Sequence, residues 1–222
     1  MHAGDSPSAD PTASIRLSAL LLYGGAGKRF GGEKAFARFQ GERLIDRLLR
    51  VLDRVSDDVL ISTNVPDLFR PFGRRIVADR MPGAGPLAGL QAALAAARHE
   101  VLAVVAGDMP FASAELLLRL AALARGLEGG SGYDAVVPLR TDLPGFPAYE
   151  PLHAVYHKRC LPAIEETLRA GKRRVVEFYP RVRVREVTAE EWSAMGADAR
   201  VFANVNTPED LARLEREGPA GG

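Results

Sequence analysis

Along the chain, short unbroken apolar runs alternate with stretches whose apolar residues recur at helical spacing, the pattern of a parallel α/β sheet. Leu17–Leu22 is a continuous apolar run and reads as a buried central strand, and Val101–Ala106 is a second. Asp58–Thr63 and Arg75–Ala78 are two shorter strand candidates. Between them, Arg43–Val55 places Leu44, Ile45, Leu48, Leu49 and Leu52 on one helical face. Pro86–Arg98 and Ser113–Arg125 are predicted helices as well.

After the Gly129-Gly130-Ser131-Gly132 break, Asp134–Leu139 restarts a strand. Thr141–Pro151, with three prolines and a glycine, is expected to be a loop. His153–His157 reads as a strand, Leu161–Ala170 as a helix ended by Gly171, and Val182–Val187 as a strand with a basic face. Thr207 caps a last helix, with Pro208 at its first position. No repeat or linker divides the chain. One domain over 15–217 is expected, with a disordered leader over 1–14 and a frayed tail over 218–222.

Composition narrows the function classes. The 222 residues carry 29 basic against 28 acidic side chains, a net charge of +1, which gives no support to a nucleic-acid or membrane-surface protein. No apolar run approaches the ~18 residues of a membrane span, and residues 1–14 lack the basic and apolar blocks of a secretory signal. Cys160 is alone, so no internal disulfide forms, and a reducing cytoplasm is the expected compartment. Only four cations are lysines, and two of those are Lys28 and Lys34.

The chemistry gathers where strands end. The first strand runs into Tyr23-Gly-Gly-Ala-Gly-Lys-Arg-Phe-Gly-Gly32, in which five of the nine residues from Gly24 are glycine. Glycines there let backbone N–H groups wrap an anion, and Lys28, Arg29 and Lys34 supply countercharge. The Walker pattern fails because Arg29 follows Gly27-Lys28, and the dinucleotide fingerprint fails at Phe30. Asn64, Asp79 and Asp108 each follow a predicted strand at the same sheet edge, where ligands of open α/β sheets bind. Asp108, in Ala106-Gly-Asp-Met-Pro-Phe111, is suited either to hold Mg²⁺ or to cap its own turn. Asp79 reads as a ligand or as a plain loop aspartate. Pro82-Gly-Ala-Gly-Pro-Leu-Ala-Gly89 offers a surface for a planar base, or a tight turn. His153 and His157 share a strand face without a third metal ligand. Cys160 reads as a packed thiol, and Arg181, Arg183 and Arg185 as an exposed edge. Lys172, Arg173 and Arg174 form a basic knot that suits an anion or a solvated turn.

Leu22-Tyr-Gly-Gly-Ala-Gly-Lys-Arg-Phe-Gly-Gly-Glu-Lys34 resembles the glycine-loop signature of nucleotidyltransferases, specifically the molybdenum cofactor guanylyltransferases. Val77-Ala-Asp79 with Gly85-Pro-Leu-Ala-Gly89, Gly107-Asp-Met-Pro-Phe111 and Phe202-Ala-Asn-Val-Asn-Thr-Pro-Glu-Asp-Leu211 agree in order and spacing, over about Leu17 to Leu214. Tyr23 stands where alanine is usual, Phe30 where methionine is, and Glu33 where aspartate is.

The resemblance implies a Rossmann-like three-layer α/β/α nucleotidyltransferase fold with a mostly parallel sheet. It implies transfer of GMP from GTP, with Mg²⁺, to the terminal phosphate of molybdenum-loaded molybdopterin. Cytidylyl transfer to the same pterin or to a sugar alcohol phosphate, and a silent nucleotide-binding protein, are the alternatives. The nucleotide contacts carried over are Leu22, Tyr23, Gly24, Gly25, Lys34, Asn64, Asp79, Gly85, Pro86, Leu87 and Asp108. Arg29, Lys34 and Asp108 are the catalytic set, Asp108 the metal ligand, and Asn204 and Asn206 the late asparagine pair near the second substrate or the metal. The implied protein partners insert molybdenum or chaperone molybdoenzymes.

Overall fold

The computed structural model describes residues 16–23, 33–78, 85–126, 132–140 and 148–217. In chain order the strands are β1 (Ser18–Tyr23), β2 (Arg38–Phe39), β3 (Glu42–Arg43), β4 (Asp58–Thr63), β5 (Arg75–Val77), β6 (Val101–Ala106), β7 (Ala135–Arg140), β8 (Ala148–Tyr149), β9 (His153–His157) and β10 (Val184–Val187). The α-helices are α1 (Leu44–Asp53), α2 (Pro66–Phe69), α3 (Pro86–Ala96), α4 (Ala114–Arg125), α5 (Leu161–Arg169), α6 (Ala189–Ala194) and α7 (Pro208–Arg216).

The main sheet runs β10-β7-β9-β6-β1-β4-β5, with β8 added beside β7. β1 pairs in parallel with β4 on one side and β6 on the other. β9 is antiparallel to both its neighbours, β6 and β7, so the sheet is mixed but mostly parallel. The continuous apolar runs follow from this position: β1, β4 and β6 are buried on both faces. Leu17, Ala19 and Leu21 pack under α1 and α4, whereas Leu20 and Leu22 pack under α3 and α5. Three layers result. A smaller cluster of Phe39, Phe111, Val205 and Leu214 joins the β2–β3 hairpin and α7 to the turn after β6.

The expected strands and helices are present with ends shifted by a residue or two. One expectation is corrected: Thr141–Pro151 is not all loop. β8 lies within it, pairing Tyr149 with Leu139 and Ala148 with Arg140. Two residues are too few to display a period of two, so the prolines around them dominate the pattern. The leader, the tail and residues 129–131 of the glycine break lie outside the described residues.

Candidate functional site

Connectivity selects the location. From β1 the chain moves to β4 and β5 on one side, then returns to β6 on the other. The crevice beyond the carboxyl ends of β1 and β6 is therefore a topological switch point, where open α/β sheets bind ligands. Leu22 is in register with Ala106, and Tyr23 with Thr63. Leu22, Tyr23, Asn64 and Asp108 thus come to one edge, with Asn64 exposed just past β4. Lys34 lies on a one-turn 3₁₀ helix, Glu33–Phe36, beside α1. Gly24, Gly25, Arg29 and Asp79, with Lys28, lie outside the described residues.

Asp108 is half-buried on a turn held from every side. The Gly107 amide donates to the Leu22 carbonyl at 3.0 Å, and the Ala106 amide to the Leu152 carbonyl at 2.9 Å. The Arg47 guanidinium donates to the Pro110 carbonyl at 2.6 Å. At the far end, the Ser113 amide donates to Nε2 of His153 at 3.1 Å, and the Ser113 hydroxyl caps α4. Asp108 lies on the turn ahead of that capped helix. Its own carbonyl accepts the Val205 amide at 2.8 Å, which brings Asn204 and Asn206, both exposed, alongside it from 96 and 98 positions away.

The α3 entrance is shaped by backbone constraint. Gly85 has φ +76°, a conformation that favours glycine, and Pro86 fixes the first helical turn, with Leu87 buried behind it. A side chain at Gly85 would meet the Arg173 carbonyl at 3.5 Å, so the Lys172–Arg174 knot lies against this entrance. One turn on, a Cβ at Gly89 would sit 2.9 Å from the Ser62 hydroxyl and 3.2 Å from Leu22 Cδ1. That glycine is what lets α3 approach β1 and β4 so closely.

Three titratable groups are held neutral by burial. His153 is fully buried, its ring edge-on to Phe202 at 5.7 Å, and burial lowers its pKa to about 4, its own backbone offsetting a little. Because Nε2 accepts a hydrogen bond, the neutral ring carries its proton on Nδ1, which has no partner among the described residues. His153 braces the turn instead of ligating. Cys160 is buried, its thiol pushed up to about 12 by desolvation, and unsuited to nucleophilic work. Burial, with Asp108 and Asp46 adding, pushes the Tyr23 phenol far above its ordinary value, so it stays protonated. His153, Val205 and Gly107 are named in the sequence reading, but their bracing roles escaped it. Their partners are set by tertiary contacts that no local motif encodes.

Among the described residues no cluster of three His, Cys, Asp or Glu can hold a metal. A single carboxylate suits Mg²⁺, which keeps waters and takes substrate phosphates as further ligands, better than it suits zinc or calcium.

A sequence model of the MobA-like NTP transferase domain matches residues 19–187. The chain belongs to that family. It is 40% identical over 199 residues to a probable molybdenum cofactor guanylyltransferase of Pelotomaculum thermopropionicum, covering 90% of this chain and 92% of the relative. Among solved structures, it resembles molybdopterin-guanine dinucleotide biosynthesis protein A of Archaeoglobus fulgidus, with a TM-score of 0.73 and 28% identity over 90% of this chain and 97% of that one. The 2-C-methyl-D-erythritol 4-phosphate cytidylyltransferase of Thermus thermophilus shares the fold, with a TM-score of 0.63 and 19% identity over 89% and 96%. The chain is thus a nucleotidyltransferase in a Rossmann-like α/β fold. No helix among the described residues is long and apolar enough to cross a membrane.

Proposed function

We propose that the chain transfers GMP from GTP to the terminal phosphate of molybdenum-loaded molybdopterin, releasing pyrophosphate and forming the guanine dinucleotide cofactor. The observation that carries this reading is the hydrogen bond from Val205 to the Asp108 carbonyl. It sets the asparagine pair of one motif against the acidic turn of another, at the sheet's switch point.

An oxygen of the acceptor phosphate attacks the α-phosphorus. The bond from that phosphorus to the bridging oxygen breaks, and its electron pair leaves on pyrophosphate. No side chain needs to remove a proton, because a phosphate monoester is already anionic near neutral pH. Positioning and charge neutralisation then supply the catalysis. Asp108 would hold Mg²⁺, which when bound polarises phosphate oxygens. Arg29 and Lys34 would offset charge on the leaving group, and a lysine in so arginine-rich a chain suits a compact point charge. Gly24 and Gly25 would offer backbone amides, and Asp79 and Asn64 would take the nucleoside. Gly85, Pro86 and Leu87 would flank the base, with Asn204 and Asn206 turned to the acceptor. The proteins that load molybdenum and receive the finished cofactor are its expected partners, in the cytoplasm.

The test is pyrophosphate release with Mg²⁺ and the loaded acceptor, offering GTP, CTP, ATP and UTP separately. Release with GTP alone, falling about a hundredfold or more in Asp108→Ala, is the expected result. Preference for CTP would keep the fold and the mechanism but replace the base. Nucleotide binding without release from any of the four would refute the activity.

A further inference from the structure

The ring of Tyr23 touches, directly or through one neighbour, three segments that carry site residues. A Cβ built on Gly107 would lie 2.2 Å from Tyr23 Cε1, 2.4 Å from Cδ1 and 2.5 Å from Cζ, so the ring lies directly against the glycine that precedes Asp108. Gly107 is not among the glycines with positive φ, so space and not backbone conformation demands it. The Tyr23 ring also meets Phe69 at 5.0 Å between centroids, in the helix that follows Asn64. Phe69 meets Phe36 at 6.3 Å, and Phe36 closes the 3₁₀ helix that bears Lys34. Phe72 packs against both phenylalanines, at 6.2 and 6.4 Å, and the Arg43 guanidinium lies over Phe72. The ring therefore cannot retreat from Gly107 without disturbing this block.

We infer that Tyr23 is a positioning residue, whose ring, wedged between Gly107 and Phe69, sets where the Asp108 turn stands relative to the helix that carries Lys34. This rests on the assignment of Asp108 and Lys34 to the metal and the nucleotide phosphates. The bulk of the ring at position 23 is matched by the missing side chain at position 107. The hydroxyl takes no part, being buried without a partner among the described residues. An ångström-scale displacement of a reacting group is enough to slow transfer by about ten- to a hundredfold.

The full chain is assayed by pyrophosphate release, and by Mn²⁺ binding in the presence of GTP, followed by electron paramagnetic resonance. Tyr23→Phe keeps the ring and is expected to lose clearly less than Tyr23→Ala in both measurements. Tyr23→Ala is expected to lower kcat about tenfold and to weaken Mn²⁺ binding by a similar factor, with circular dichroism unchanged. Gly107→Ala is expected to cost about tenfold in the wild-type background but less than about twofold in the Tyr23→Ala background, where its methyl group has room. Equal cost in both backgrounds, or wild-type behaviour of Tyr23→Ala, overturns the inference. So does a Tyr23→Phe variant as impaired as Tyr23→Ala. Should Gly107→Ala fail to fold, the phenylalanine and alanine variants at position 23 decide it. A wild-type protein that binds Mn²⁺ with GTP yet releases no pyrophosphate refutes the proposed reaction instead, and the Mn²⁺ affinities still judge Tyr23.

Discussion

The two ends of the sheet treat most of their buried polar groups differently, although Arg74 Nε, at the amino end of β5, is also buried without a partner among the described residues. At the amino edge, Asp58 is fully buried and saturated. It accepts from the Ser18 hydroxyl at 2.6 Å, the Arg98 amide at 2.8 Å and the Arg75 guanidinium at 2.6 Å. Ser18 in turn accepts from the His99 amide at 3.1 Å, so the network closes on itself. At the carboxyl edge, the Tyr23 hydroxyl and His153 Nδ1 are buried without partners among the described residues, and Asp108 stands only half-buried. Backbone hydrogen bonds, with the side chains of Arg47 and His153, hold the turn at the carboxyl edge in place. A saturated network stabilises, whereas an unpartnered buried polar atom destabilises; we propose that the carboxyl edge tolerates this because it is where the nucleotide binds.

Truncating one carboxylate at each edge should expose that difference most plainly. Burial alone would raise the pKa of Asp58, but the bonds from Ser18, Arg98 and Arg75 outweigh it and hold the group below the ordinary carboxylate range. Asp58→Ala strands the Ser18 hydroxyl and the Arg98 amide, and is expected to cost about 2–5 kcal/mol in urea unfolding. The surviving folded protein should keep its KM for GTP. Asp108→Ala should do the reverse, unfolding close to wild type while transfer collapses. Loss of stability in both variants would erase the distinction between the edges.

The next effect is a pH dependence lodged in His153. Its folded pKa of about 4 lies below the ordinary 6.5 because burial disfavours the imidazolium. Between those values the unfolded chain binds a proton that the folded chain refuses. Stability is therefore complete above about pH 6.5 and falls as the pH drops toward 4, by about 3 kcal/mol in all. Carboxylates held low, such as Asp58 and Asp134, lose their contribution only at more acid pH. Urea unfolding of wild type and His153→Gln at pH 8, 6 and 5 separates the two sources. The wild-type curve should slope and the variant's flatten; parallel curves would mean that the buried ring is not what refuses the proton.

Most of the fold was legible because its central strands are buried on both faces, and an unbroken apolar run as short as Leu17–Leu22 suits a strand covered from both sides. What escaped was short or set at a distance. The β2–β3 hairpin turns at Gln40 and Gly41, both with positive φ, on strands of two residues each. α6 is a six-residue helix with a Thr188–Glu191 capping box, a signal present in the sequence but followed by no apolar stripe. The direction of β9 depends on a gap left between β6 and β7, which no local pattern encodes. At the site, Leu22, Tyr23, Asn64 and Asp108 were each expected at strand ends of one sheet edge, and the topology brings them there, whereas Gly24, Gly25, Arg29 and Asp79 lie outside the described residues. The contact between Tyr23 and Gly107 was not legible, because it exists only once β1 and β6 lie side by side.

That contact yields the smallest effect and the finest test of the comparison. The Tyr23 hydroxyl is desolvated without a hydrogen-bond partner among the described residues, a loss that the ring's packing on Phe69 and Gly107 must offset. Tyr23→Phe removes the desolvated oxygen and keeps the ring, so the unliganded protein should gain about 1 kcal/mol, seen as a higher thermal midpoint. At the amino edge the same kind of deletion has the opposite sign. Ser18→Ala removes a hydroxyl that donates to Asp58 and accepts from His99, and should destabilise. A gain at Tyr23 with a loss at Ser18 places the uncompensated polar group at the binding edge. A loss at both would mean that the tyrosine hydroxyl is satisfied in solution, and that the carboxyl edge is as closed as the amino edge.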